Sequence, residues 1–261
     1  MYFKFISSAF QRSAAYRLEY YMGLFNAFLY IFIFTSVWKA VASENPDAIP
    51  GWGEKKLIQY AILSTLIKVS FGRNESLVST KVKNGDIVYD FLKPYSFPLM
   101  YLSDCIGVSM FQLFARALPL LFFSLFYFDA APDLSLYTFM QFLPVYFMAF
   151  LIYILIGFTI SSLSFFFTEI FTFFVLNSAL VTLLSGSVIP VSLYPDFLQW
   201  FIAATPFPYL FYFPAALLIQ TPLQIGYAEL LVRYLLHIAV MGLIAYTVFS
   251  RGKRKIEFAG G

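Results

Sequence analysis

Long apolar runs broken by short polar islands set the pattern of this chain. Six runs read as helices across a bilayer: Tyr20–Trp38, Leu57–Phe71, Leu99–Phe128, Leu136–Ile160, a fifth from Glu169 to Ile189, and Tyr227–Phe249. A spanning helix needs about 20 apolar residues to cross a hydrocarbon core of ~30 Å. The second run is short and holds Lys68, whose stem can carry its charge to an interface. Ahead of the first run, Lys4, Arg12 and Arg17 alternate with Phe3, Phe5, Ile6, Phe10 and Tyr16. That mixture over residues 1–18 suits an amphipathic helix lying in the interface. The first run exceeds the roughly 7–15 apolar residues of a signal peptide, so it reads as a span and not a leader.

Two segments break the pattern. Residues 73–97 carry Arg73, Lys81, Lys83 and Lys93 with Glu75, Asp86 and Asp90. Asn84–Gly85 is a turn signal, and Asp86 is placed to cap a helix that ends at Lys93–Pro94. Asp86 and Asp90 share one face of that helix, with Ile87, Phe91 and Leu92 as apolar neighbours. The pattern admits two readings: a peg for a partner's groove, or a solvated loop. Residues 190–226 hold Pro190, Pro195, Pro206, Pro208, Pro214 and Pro222 but a single charge, Asp196. These prolines forbid a simple spanning helix, yet the segment is too apolar for a free aqueous loop. Irregular backbone at membrane depth must be satisfied by protein or by a watery cavity. Short re-entrant or interfacial helices are therefore expected.

Composition agrees with this reading: 61% of the 261 residues are hydrophobic and 12% charged, about half the charge of a soluble domain. The sum of the charges matters less than their placement. Six spans put both ends on one side, together with the 73–97 loop and the basic tail Arg251, Lys253, Arg254 and Lys255. By the positive-inside rule that side is the cytoplasm, and residues 190–226 lie outside. The chain reads as one transmembrane domain over residues 1–261.

The candidate chemistry is sparse. Cys105 and His237 are each the sole residue of their type, which removes a disulfide within the chain and the usual zinc sets. No GxxxxGK phosphate loop ending in Ser or Thr is present; Gly252–Lys253 is followed by Arg254. Any ATP and its magnesium must be held by another chain, and no cofactor by this one. Ser185–Gly186–Ser187 with His237 invites an intramembrane serine protease, but the GxSxG elbow is missing. A proton-coupled carrier would use midplane carboxylates and inverted repeats; Glu169 is the sole candidate and no repeat is visible. Glu169 can pair with a basic residue of the 73–97 loop or snorkel. Arg116 sits inside the third run. Arg233 and His237, four apart on one face, fit either a structural hydrogen bond or a proton relay.

Two stretches carry a resemblance. KNGDIVYDFLKPYSFPLMYLSD resembles the segment between the second and third spans of permease subunits in the type-2 ABC exporter family. LSGSVIPVSLYPDFLQWFIAATPFPYLFYFPAALLI is similar to that family's segment between spans five and six. The resemblance implies an all-α integral membrane protein of six transmembrane helices. It has an N-terminal interface helix, a cytoplasmic coupling helix and extracellular re-entrant helices. Two permeases, the same chain or related ones, would pair in the lipid bilayer and take two copies of an ATP-binding subunit; nucleic acid has no part. Carried onto this chain, ATPase coupling falls on Gly85, Asp86, Asp90, Phe91, Leu92 and Pro94. Pathway lining falls on Asn177, Ser178, Thr182 and Ser185, and an extracellular gate on Pro190, Pro195, Pro206 and Pro208. The implied activity is export of an amphipathic or hydrophobic substrate (drug, lipid or peptide), with hydrolysis in the other chain. Asp86→Arg and Gly85→Pro are expected to spare folding and uncouple transport.

Overall fold

The computed structural model describes residues 1–44, 52–72, 76–128, 131–132, 135–221, 223 and 225–259. Arg73, Glu75, Pro46, Pro50, Asp129, Asp133 and Pro222 lie outside the described residues. Of the described residues, 81% are helical and none lies in a strand. Its helices are α1 (Tyr2–Ala15), α2 (Arg17–Glu44), α3 (Glu54–Ser70), α4 (Leu77–Lys83), α5 (Ile87–Leu92) and α6 (Phe97–Gln112). They continue as α7 (Leu118–Phe128), α8 (Leu136–Ser162), α9 (Phe171–Leu184), α10 (Asp196–Ala203), α11 (Tyr212–Leu218) and α12 (Tyr227–Ala259).

Among the described residues, four stretches are long and apolar enough to cross a membrane: Leu18–Ser43, Phe97–Phe128, Leu136–Phe165 and Tyr227–Lys255. The second and fifth expected spans differ. α3 has 17 residues and is buried along most of its length, encased by α2 and α11. Its surface is protein, so it needs no lipid-facing apolar stripe. α9 stops after 14 residues, a rise of only about 21 Å.

The stop has a local cause. Gly186 takes φ +76°, which a residue with a Cβ adopts at a cost. A Cβ there would also press on Tyr212 and on the Tyr60 hydroxyl. The freed backbone is satisfied from inside the bundle, as depth requires. Tyr60 Oη donates to Gly186 O, and the Tyr212 N–H donates to Ser185 O at 3.1 Å. Hydropathy continues through Ile189, but the helix does not.

The third expected span is interrupted too. Leu113–Ala117 form a π-helical turn between α6 and α7. Leu118 N–H donates to Leu113 O, five residues back. Pro119 has no N–H, which leaves the Ala115 carbonyl without its helical donor and favours this shift of register.

The core has two parts. The larger lies among α2, α3, α8, α11 and α12, with Tyr60, Ile152, Phe211 and Leu230 fully buried. The smaller sits at the end of the bundle that carries the polar loop and joins Val78, Ile87, Phe97, Tyr101, Phe158, Phe165 and Phe249. α1 lies along α6, with Ala9 buried against it. Arg12 reaches the buried Asp104 at 2.7 Å.

Candidate functional site

Helices α4 and α5 form a short hairpin around Asn84 and Gly85. Gly85 has φ +78°, and its N–H donates to Val82 O at 3.2 Å. Both features rule out proline there, so Gly85→Pro would distort the turn as well as any contact it makes. The expectation that it spares folding is corrected on that ground. Val78 and Ile87 are the hairpin's anchors, each fully buried in the smaller core.

Asp90 is the centre of the loop. It is 2% exposed and takes three donors. Lys93 Nζ at 2.9 Å and Tyr95 Oη at 2.7 Å donate to its Oδ1, and Lys81 Nζ to its Oδ2. Burial alone would raise the Asp90 carboxyl pKa; the bonds from Lys81, Tyr95 and Lys93 outweigh it and hold the group below the usual carboxylate range. The Lys93 ammonium is raised, chiefly by its bond to Asp90. The Tyr95 phenol is raised by burial and then by Asp90. Asp90 is thus an internal clamp tying α4 to α5 and to the lead into α6.

Asp86 is different. It stands at the N-cap position of α5 but its side chain makes no capping bond, and it is exposed. The two carboxylates expected on one acidic face are therefore separated, one inside and one in solvent. Phe91 is half-buried against Phe97 and Phe249, with Lys253 Nζ 5.1 Å from its ring centre. Val88, Tyr89 and Leu92 are 44%, 66% and 79% exposed. They form an apolar edge at i, i+1 and i+4 on a helix whose other side is fastened. Pro94 is exposed beside them.

Phe249 binds the loop to the bundle. Its ring stacks on Phe97 at 5.6 Å and 7°, and meets Phe158 at 5.2 Å and Phe165 at 5.8 Å. Lys83 Nζ also reaches Glu169 Oε1 at 3.0 Å, joining the end of α4 to the lead into α9. Both partners are largely exposed, so the pair contributes at most about 1 kcal/mol. Sequence pattern did not reveal that Lys81, Lys93 and Tyr95 converge on Asp90, nor that Arg12 meets Asp104. The Asp90–Lys93 spacing of three is a visible signal; Lys81 and Arg12 arrive only through folding.

The α9 candidates are not brought together. Asn177 and Ser185 are buried, while Ser178 is exposed and Thr182 donates to its carbonyl at 2.8 Å. In the proline-rich segment, Pro190 and Pro208 are buried, Pro206 is half-buried and Pro195 is exposed. Pro195 precedes α10, which presents Phe197 and Trp200 outward. Arg233 binds Glu229 at 2.6 Å, and His237 Nδ1 lies 2.8 Å from Arg233 O. The His237 ring lies 4.3 Å from that of Tyr209. Arg233 and His237 thus each have a partner within the protein, whereas the buried Asn177 Nδ2 has none among the described residues.

Comparison with known proteins adds one finding. Residues 22–260 match the sequence model of the family described as ABC-2 family transporter protein. No curated protein matches the chain.

Proposed function

This chain belongs to the ABC-2 family of transporter proteins, and from that premise we propose that it is the six-span permease of an ATP-driven exporter. Membership makes it a multi-pass membrane component of an ABC transporter, served by an ATP-binding partner. The finer reading is ours. Both termini lie in the cytoplasm, at the inner membrane of a bacterium. Two permeases meet two ATP-binding subunits, which hold the ATP and magnesium. The substrate is amphipathic or hydrophobic and moves outward. α3 and α9 serve as the second and fifth spans, and residues 190–226 as an outer re-entrant segment.

One observation carries the coupling assignment: α5 is stiff and apolar on the outside. Asp90 and Ile87 fasten its inner side, while Tyr89 and Leu92 stay open to a partner. A peg transmits motion only if it does not yield when pushed. Binding of ATP then shifts the permease between states through the difference in contacts each state makes with the peg. Gly85, Asp86 and Pro94 shape and flank it. Leu92 was expected from sequence and Tyr89 joins it, while Asp90 and Phe91 act from behind as positioning residues.

The test is capture of the ATP-binding chain by the purified permease, followed by transport-linked ATP hydrolysis. Leu92→Asp with Tyr89→Asp should abolish capture while the fold and membrane insertion persist. Normal capture by the folded double variant would refute the docking role.

A further inference from the structure

A cavity of about 350 Å³ opens between α2, α3 and the π-helical turn. Asn26, Tyr30, Thr65, Lys68, Gln112 and Arg116 supply its polar lining. Two of these are cations, and no acidic side chain lines the space. Among the described residues, no carboxylate oxygen lies within 4.0 Å of the charged nitrogens of Lys68 or Arg116. Lys68 stands over the Tyr30 ring at 5.2 Å, which satisfies one side of its charge. Arg116 Nη2 donates to the backbone carbonyl of Glu19 at 2.9 Å, and its Nε is buried with no acceptor. Gln112 Oε1 is likewise buried with no donor. The Glu19 carboxylate belongs to the adjoining cavity of about 780 Å³, which shares only Gln112 and Arg116 with this one.

The local fold makes room for this charge. A Cβ on Gly23 would overlap the Arg116 guanidinium, so the absence of a side chain on α2 admits it. The π-helical turn places Arg116 there, and such turns recur at functional sites. The level is telling as well. Lys68 sits in the last turn of α3, at the end of the bundle that carries the polar loop. Cations held just inside an apolar bundle are costly unless they face water, protein partners or an anion. Glu19 offsets part of the Arg116 charge, through its carbonyl and its nearby carboxylate, and the Tyr30 ring offsets part of that on Lys68.

We infer that this cavity binds the anionic headgroup of an amphiphile, with Lys68 and Arg116 as its charge partners. The Asn26 amide can accept from or donate to headgroup hydroxyls, so a phosphate ester that also carries hydroxyls suits the lining best. Either a bilayer phospholipid or a transported anionic amphiphile supplies that chemistry. The inference deepens the transport reading by naming a substrate class, and rests on it only where the ligand is cargo.

The test uses the purified full chain in neutral detergent without an ATP-binding partner, so it succeeds or fails independently of the coupling assignment. Native mass spectrometry compares retention of dioctanoyl phosphatidylglycerol and dioctanoyl phosphatidylcholine. Wild type should hold the anionic lipid about tenfold more tightly, the value of one charge-assisted contact. Lys68→Gln with Arg116→Gln should erase that preference, and Lys68→Arg should keep it. Gly23→Ala, which displaces the guanidinium without removing its charge, should weaken it severalfold. Lys83→Gln, on the exposed hairpin, should leave it unchanged. Displacement of the lipid by dodecyl phosphate marks an exchangeable cargo site, and resistance to displacement marks a resident bilayer lipid. Equal retention of both lipids by wild type overturns the inference, as does an unchanged preference in the folded glutamine variant. Should that variant fail to fold, an unchanged preference in Gly23→Ala overturns it instead.

Discussion

Residues 77–95 and residues 185–218 solve the same problem by opposite means. Each is a stretch of short helices linking two longer ones, and each must be held rigid without a run of regular backbone bonds. The first uses charge: Lys81, Lys93 and Tyr95 converge on one buried carboxylate. The second uses neutral groups: the Tyr60 hydroxyl on Gly186 O and the Tyr212 N–H on Ser185 O. The two glycines sharpen the contrast. Gly85 and Gly186 share nearly the same positive φ, +78° and +76°. Nothing lies within 4 Å of a Cβ placed on Gly85, whereas one on Gly186 would meet Tyr212 and Tyr60. Charge serves where water can reach, because lysines exchange solvent for a carboxylate at little desolvation cost. At membrane depth an unmatched charge is expensive and neutral donors serve better.

Substitutions in the two segments should separate the two kinds of clamp. The largest effect is expected outside both clamps, at the apolar edge of α5. Leu92→Asp with Tyr89→Asp should cut capture of the ATP-binding chain by more than about 30-fold, as a lost interface hot spot of ~2 kcal/mol or more would. Pull-down and thermal unfolding together separate lost docking from lost fold.

Next come the glycines. Gly186→Ala should cost about 2–4 kcal/mol, since strain in φ adds to steric overlap. Gly85→Ala meets only the strain, about 1–2 kcal/mol. Thermal unfolding midpoints in detergent should fall in that order. Equal losses would mean that the packing around Gly186 does not matter.

Asp90→Asn and Tyr60→Phe test the clamps themselves. Each should cost about 1–3 kcal/mol by leaving buried polar groups unmatched. Raising salt should narrow the gap between Asp90→Asn and wild type while leaving that of Tyr60→Phe unchanged. Hydrogen exchange should rise at 77–95 in the first variant and at 185–218 in the second.

The smallest effect is that of pH on the wild-type chain. The Asp90 carboxyl pKa is depressed by folding. Its stabilisation is therefore present above the unfolded value of about 3.9 and lost as pH falls below that through the folded value. Lys93 and Tyr95 are raised, so their share is present below about 10 and lost as pH climbs through their folded values. Exchange at 77–95, corrected for intrinsic rates, should be lowest between these limits. Exchange at 185–218 should show no rise on the acid side, because its clamp has no carboxylate.

How much was legible varies with the range of the interaction. The hairpin at Asn84–Gly85 and the end of α5 near Pro94 follow from turn chemistry a few residues wide, and the structure has both. The split between Asp86 and Asp90 was not legible. Helical spacing puts both on one side, but Asp86 lies at the N-cap, ahead of α5, and meets solvent, while Asp90 is buried against its three donors. The fifth apolar run continues to Ile189 in hydropathy. Its helix ends at Leu184 because Tyr212 and Tyr60, far along the chain in either direction, claim the carbonyls of Ser185 and Gly186.

From the sequence alone it follows that this is a helical membrane protein, where four long helices run, that 73–97 is no span, and that 190–226 is neither a simple span nor a free loop. These properties depend on hydropathy, proline and turn chemistry, which act over one helix length or less. Only the tertiary structure decided which charges are clamps and which are open. It joined Lys81 to Asp90, Arg12 to Asp104 and Lys83 to Glu169, and it left Lys68 and Arg116 facing a cavity without a carboxylate. Residue type and helical phase say that a charge exists. Its partner depends on which helices become neighbours, and that is settled by packing between segments tens of residues apart.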